Sequence, residues 1–106
     1  MSKMSVYVIY DLDNNCFKIG KSDDVEGRLS EIREQHPRAV EVMRQTVRTE
    51  HASAAESAAH SRVQTRLNMV PICIDPNDSD WFKPSIRGIT KRTIEQTIKE
   101  AIIQYT

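Results

Sequence analysis

The stretch SVYVIYDLDNNCFKIG, residues 5–20, decides how this chain reads. Two apolar runs flank Asn14-Asn15, a dipeptide suited to a tight turn because asparagine tolerates left-handed backbone. Pairing around a two-residue turn sets Asp13 opposite Cys16, Asp11 opposite Lys18 and Ile9 opposite Gly20. Side chains alternate between the faces of a strand, so Val6, Val8, Tyr10, Leu12, Phe17 and Ile19 share one apolar face. Tyr7 and Lys18 fall on the other, where a phenol and an ammonium can project into a common site. Strand parity is thus expected to separate core from chemistry.

Outward from the hairpin, Asp23 or Ser22 is placed to cap a helix, with Glu26 near its first turn. Val25, Leu29 and Ile32 recur at helical spacing, and the helix should end before Pro37. Gly27 weakens it by about 1 kcal/mol relative to alanine unless close packing requires a small residue. Ala39 to Val47 reads as a third strand. Thr49 and Glu50 open a second helix whose body runs from Ala52 to about Leu67. Its stripe of Ala52, Ala55, Ala59, Val63 and Leu67 lets it approach the sheet closely. A loop through Pro71 and Pro76 leads to the aromatic pair Trp81-Phe82. Ile94, Ile98, Ile102 and Tyr105 then mark a C-terminal amphipathic helix from near Thr90. The expected fold is a small α/β (α+β) domain: a β-hairpin followed by helix, strand, helix and C-terminal helix around an antiparallel or mixed sheet.

With 106 residues and 39% hydrophobic content, residues 1–106 are expected to form one domain with one core. No run is apolar enough to cross a bilayer, and Met1-Ser2-Lys3-Met4 lacks a signal-peptide core, so a soluble, cytoplasmic protein is expected. Cys16 and Cys73 are too few for a disulfide framework and have no zinc-ligand spacing. Fifteen basic and fifteen acidic residues balance, which argues against a broadly basic nucleic-acid surface. Local charge matters more: Lys83, Arg87, Lys91 and Arg92 have no acid between them, while Asp75, Asp78 and Asp80 lie just before. That stretch is either a solvated surface or a phosphate-contacting patch. Asp75-Pro76-Asn77-Asp78-Ser79-Asp80 lacks the glycine and distal glutamate of a calcium loop. His36 and His51 have no partners at metal-ligand spacing, and nothing resembles a P-loop or dinucleotide fingerprint.

Ser5-Val6-Tyr7, ten residues, Lys18-Ile19-Gly20, then Arg28 on the first helix and Glu56 on the second resembles the GIY-YIG nuclease superfamily. The closer resemblance is to its phage-type branch, whose second motif reads K-I-G and whose later helix carries E-x-x-x-H. Glu56-Ser57-Ala58-Ala59-His60 fits that pattern, and Asp80-Trp81-Phe82 is similar to the branch's closing acid-Trp-Phe signature. The resemblance covers residues 5–83, leaving a C-terminal helix at about 90–105. It implies a metal-dependent endonuclease acting on nucleic acid, DNA rather than RNA, from a phage or bacterial setting and with low intrinsic sequence specificity. Tyr7 would orient or deprotonate the attacking water, and Lys18 would favour the phenolate or hold the phosphate. Arg28 would clamp the phosphate, and Glu56 would hold one divalent metal, Mg²⁺ or Mn²⁺. His60 and Lys21 would contact substrate.

Each residue also has a plainer reading: Tyr7 as packing, Lys18 as a solvated lysine, Arg28 as cover for apolar surface, and Glu56 as an i,i+4 partner of His60. Ser5 stands where the family has its first glycine, Lys18 where many relatives have tyrosine, and Ile32 where several carry His or Tyr. The alternative is a nuclease-fold module that binds nucleic acid, a phosphorylated ligand or a host protein without cutting. A protein partner or homodimer would supply specificity that so small a domain lacks.

Overall fold

The computed structural model describes residues 3–72 and 80–106. Strands β1 (Met4–Asp11) and β2 (Cys16–Ser22) form the hairpin. Its turn is Leu12 to Asn15, not Asn14-Asn15 alone, so Asp11 faces Cys16, Ile9 faces Lys18 and Tyr7 faces Gly20. The cause is Asp11, whose carboxylate accepts from the Asp13 amide at 3.0 Å and the Asn14 side chain at 2.6 Å. This side-chain cradle builds a wider turn than the dipeptide alone would give. Asn15 takes the left-handed position, at φ 50°. The register moves by two residues, so parity survives, but Leu12 leaves the apolar face for the turn and is 39% exposed.

Helix α1 (Val25–Gln35) follows, then β3 (Ala39–Val47) antiparallel to β1. Asp24, rather than Asp23 or Ser22, caps α1, accepting from the Gly27 amide at 3.0 Å. Ser22 instead accepts from the Asp24 amide at 2.9 Å, which steers the chain into the helix. On β3, Val8 pairs with Met43 but Ile9 with Glu41, so Val42 is an extra residue in a bulge. The bulge switches faces mid-strand: Ala39 enters one core while Met43 and Val47 enter the other.

Helix α2 (Ala52–Leu67) is preceded by a short 3₁₀ turn at Thr49–His51 and ends on Asn68 in the left-handed conformation. Two three-residue strands, β4 (Val70–Ile72) and β5 (Trp81–Lys83), were not expected from the sequence. They complete a five-stranded, wholly antiparallel sheet of order β3-β1-β2-β5-β4. Helix α3 (Lys91–Ile102) is capped by Thr90, which accepts from the Thr93 amide at 3.1 Å.

Helices α2 and α3 cover one face of the sheet. Val6, Val8, Phe17 and Ile19 pack there against Ala55, Ala59, Val63, Ile94, Ile98 and Ile102. Each buried isoleucine contributes about 2–3 kcal/mol of apolar transfer. The other face is no open site, contrary to the parity argument. Tyr7, Ile9, Cys16 and Trp81 form a second core there with Val25, Ile32 and Ala39, under α1. Among the described residues no helix is long and apolar enough to cross a membrane. Cys73 and the segment 75–79 lie outside the described residues.

Candidate functional site

Glu56 and His60 stand one turn apart on α2, beside the buried Ala55 and Ala59 whose small side chains bring this helix against β2. The His60 ring packs on Phe82 with centroids 5.0 Å apart, and its Nε2 lies 2.7 Å from the Ile19 carbonyl oxygen. A carbonyl only accepts, so Nε2 carries the hydrogen. Ile19 is available because β5 pairs with β2 only at Phe17 and Lys18. The Ile19 amide still donates to the Asp80 carbonyl at 3.0 Å, but Asp80, at φ 76°, is not in the extended conformation of a strand residue. The Ile19 carbonyl, which faces the same neighbour as its amide, is left for His60.

The Asp80 carboxylate lies 3.9 Å from His60 Nε2. One ligand atom each from Glu56, His60 and Asp80 lies within 4.8 Å of the others, and all three residues are half-buried. Two carboxylates at a site open to water suit a hard divalent cation such as Mg²⁺ or Mn²⁺, which keeps part of its hydration shell. His60, donating through Nε2 to Ile19, fixes the position of β2 here and becomes a ligand through that nitrogen only by releasing it. Asp80 was legible as part of the acid-Trp-Phe signature but not as a member of this cluster, because nothing local links it to Glu56.

Tyr7 and Lys18 lie on the opposite face of the sheet and are 2% and 1% exposed. The Tyr7 ring runs across Gly20, the residue after Ile19. A Cβ on Gly20 would fall 2.6 Å from the Tyr7 hydroxyl oxygen. The phenol tip therefore sits one β2 residue from the carbonyl that holds His60. Lys18 is not a solvated lysine: its Nζ lies 5.8 Å from the centre of the Trp81 ring, which is its cross-strand partner and follows Asp80. Lys21 pairs with Val6 on the α2 side, at the end of β2. Arg28 lies on α1, about one-third exposed, with its guanidinium 2.9 Å from Glu31.

Arg44 had no motif to announce it. It faces Tyr7 across the β1–β3 pair and contacts Glu41 at 2.6 Å and Glu26 at 3.2 Å. The hydrogen bond to Glu41 leads in raising its pKa further.

A second polar cluster closes the other end of the sheet. Asp11 is fully buried, and its Oδ2 lies 2.8 Å from Nδ1 of His36, whose ring packs on Trp81 at 4.8 Å. Burial pushes the Asp11 carboxyl up, but hydrogen bonds from Asn14, the Asp13 amide and His36 outweigh it and hold the group below its ordinary value. Burial, with Asp11 alongside, pushes the Cys16 thiol up to about 12. His36 is thus a core residue.

The chain is thus a small α+β domain, a hairpin-led antiparallel sheet between helices with an acid–imidazole cluster where β2 meets β5, and its family is of the GIY-YIG-like, phage nuclease type. Residues 4–102 match the T5orf172 domain, and the chain belongs to that family. No curated protein and no solved structure matches it.

Proposed function

We propose that this domain is a metal-dependent endonuclease of the K-I-G branch, hydrolysing phosphodiester bonds in DNA with little sequence preference of its own. The observation that carries the reading is the convergence of Glu56, His60 and Asp80 on the stretch of β2 crossed by the Tyr7 phenol. Glu56 and Asp80 would hold a divalent cation, which when bound supplies positive charge to the phosphoryl oxygens and acidifies water. The Tyr7 hydroxyl orients the attacking water and relays its proton. Arg28, exchanging Glu31 for the substrate, braces a phosphate oxygen through its planar fork. Lys18 lies under the sheet beside Trp81, where an ammonium would favour negative charge at the reacting end. Lys21 contacts the strand on the α2 side.

The test is cleavage of labelled single- and double-stranded DNA and RNA with Mg²⁺, Mn²⁺ or chelator, comparing wild type with Tyr7→Phe and Glu56→Ala. Metal-dependent cutting lost in both variants is the expected result. Cutting that persists in chelator or in Glu56→Ala overturns it. The burial of Tyr7 and Lys18 favours one rival, a nuclease-fold module that binds without cutting. Stoichiometric binding with no turnover under any metal would establish that rival.

A further inference from the structure

At the turn end of the sheet lies a cavity of about 660 Å³ between the β1–β2 hairpin and the segment leading into α3. Tyr10, Asn15, Phe17, Arg87, Gly88 and Lys91 line it, and among the described residues no carboxylate does. In a chain whose charges sum to zero, a lining whose described residues include two cations and no acid is locally positive. Its floor is aromatic: the Tyr10 and Phe17 rings lie 4.7 Å apart, and Lys91 Nζ sits 5.0 Å from the Tyr10 ring centre. Tyr10 donates to the Asn15 side-chain oxygen at 2.7 Å, so the ring is held from the hairpin turn. Gly88, at φ 88°, has nothing within 4 Å of where a Cβ would stand, leaving its backbone open to a ligand.

Paired strand residues link the wall of this cavity to the proposed catalytic cluster. Phe17 pairs across strands with Phe82, and Phe82 packs on His60. Phe17 and Ile19 are separated by two residues of strand, about 7 Å.

We propose that this cavity is a subsite for an unpaired nucleotide of the substrate strand, close to the bond that is cut; the inference rests on the nuclease reading above. Arg87 and Lys91 bracket a phosphate, and the base lies on the Tyr10 face that the Lys91 ammonium now covers. Aromatic stacking with flanking cations is how single strands are held without sequence readout. A cavity of this size accommodates one nucleotide. The domain therefore prefers single-stranded or unpaired substrate to intact duplex.

The test uses the full chain carrying Glu56→Ala, so that substrate survives. Fluorescence anisotropy measures its affinity for a labelled 15-mer of thymidylate and for a 15-bp duplex, at several salt concentrations. Arg87→Gln, Lys91→Gln and the double variant are compared with Lys99→Gln, which removes an equal charge from an α3 lysine paired with Glu95. The double variant is expected to lose at least tenfold in affinity, and its salt slope to fall by about 0.7, the value for one neutralised phosphate of a single strand. Lys99→Gln should leave the slope unchanged, and Tyr10→Leu, with folding checked by thermal melting, should weaken the 15-mer more than the duplex.

Unchanged slopes in a protein that still binds and, with Glu56 restored, still cuts would overturn the subsite and leave the nuclease reading intact. Binding through Arg87 and Lys91 without any cutting would keep the subsite and remove the catalysis. No binding and no cutting would remove both. Competition by free thymidine monophosphate as effective as by the 15-mer would assign the cavity to a mononucleotide and overturn the strand assignment.

Discussion

Gly20→Ala probes the point where the two faces of the sheet come closest to sharing a site. The new Cβ would stand 2.6 Å from the Tyr7 hydroxyl oxygen, 2.8 Å from Cζ and 3.2 Å from Cε2. Ordinary contact is about 3.5–4.0 Å between carbons, so the ring must retreat by nearly 1 Å. Tyr7 is 2% exposed and packed beneath α1, so the retreat is opposed by the second core. Overpacking of this kind costs about 1–3 kcal/mol, offset by about 0.5–1 kcal/mol from alanine's smaller loss of backbone freedom. The net loss should be about 0.5–2 kcal/mol, or roughly 2–16 °C in Tm for a domain near this size. Thermal and urea unfolding followed by circular dichroism read it directly. Cleavage, under the proposed mechanism, should fall by one to two orders of magnitude, as displacements of about 1 Å do. Tyr7→Phe deletes the nearest atom, so the double variant should lose about 0.5 kcal/mol or more less than the sum of the singles. A Gly20→Ala protein as stable as wild type, or strict additivity with Tyr7→Phe, would refute the argument.

Asp24→Ala removes the α1 cap and should cost about 1 kcal/mol in urea unfolding. Gly27→Ala, stabilising by about 1 kcal/mol on helix propensity alone, should instead be neutral or destabilising, because its Cβ runs into the capping carboxylate, 2.9 Å from Asp24 Cγ. Cys16, with its thiol pushed up to about 12, should react with Ellman's reagent at pH 8 only as fast as the protein unfolds, measured in a Cys73→Ser background. Rapid labelling of native protein would contradict its burial. The Asp11 carboxyl is held below its ordinary 3.8, so its contribution to stability is present above about that pH and is lost as pH falls through the folded-state value. Unfolding free energies between pH 2.5 and 6 should therefore fall less steeply with acid in Asp11→Asn than in wild type. Isothermal titration with Mn²⁺ should show tenfold or greater weakening in both Glu56→Gln and Asp80→Asn; an unaffected Asp80→Asn would leave Glu56 as the lone carboxylate ligand.

Where period and punctuation agreed, the fold was legible almost residue by residue. The strand 39–47 and the helix 52–67 match, and the five residues read as the α2 stripe are all buried. The antiparallel α+β class follows from them. The misses have local physical causes. The hairpin slipped by two residues because Asp11 builds the turn with its side chain, an interaction invisible to a dipeptide rule. Strands β4 and β5 are three residues each, too short to display a period of two. The Val42 bulge leaves no compositional mark, yet without it Ala39, Met43 and Val47 would crowd one face. The stripe of Val25, Leu29 and Ile32 on α1 had to land somewhere. With α2 and α3 claiming one face of the sheet, it could only cover the other.

The cover of α1 over that face also constrains how the site can work. A hairpin with one open face would let Tyr7 and Lys18 reach substrate directly, and parity alone suggested this. Once α1 covers that face, both side chains are core residues, and whatever they contribute must pass at the sheet's margin. The margin is where β5 begins, where Asp80 takes a left-handed conformation, and where Gly20 presents no side chain. The i,i+4 pair of Glu56 and His60 was readable because helical spacing is local; Asp80 was not, because only the β2–β5 pairing brings it there. The K-I-G phrase accordingly has three separate duties. Lys18 is a cation buried against Trp81, Ile19 supplies a carbonyl to His60, and Gly20 is the gap that admits the Tyr7 phenol. A variant that restored bulk at Gly20 while keeping every charged residue would test whether that gap, rather than the inventory of side chains, makes the site.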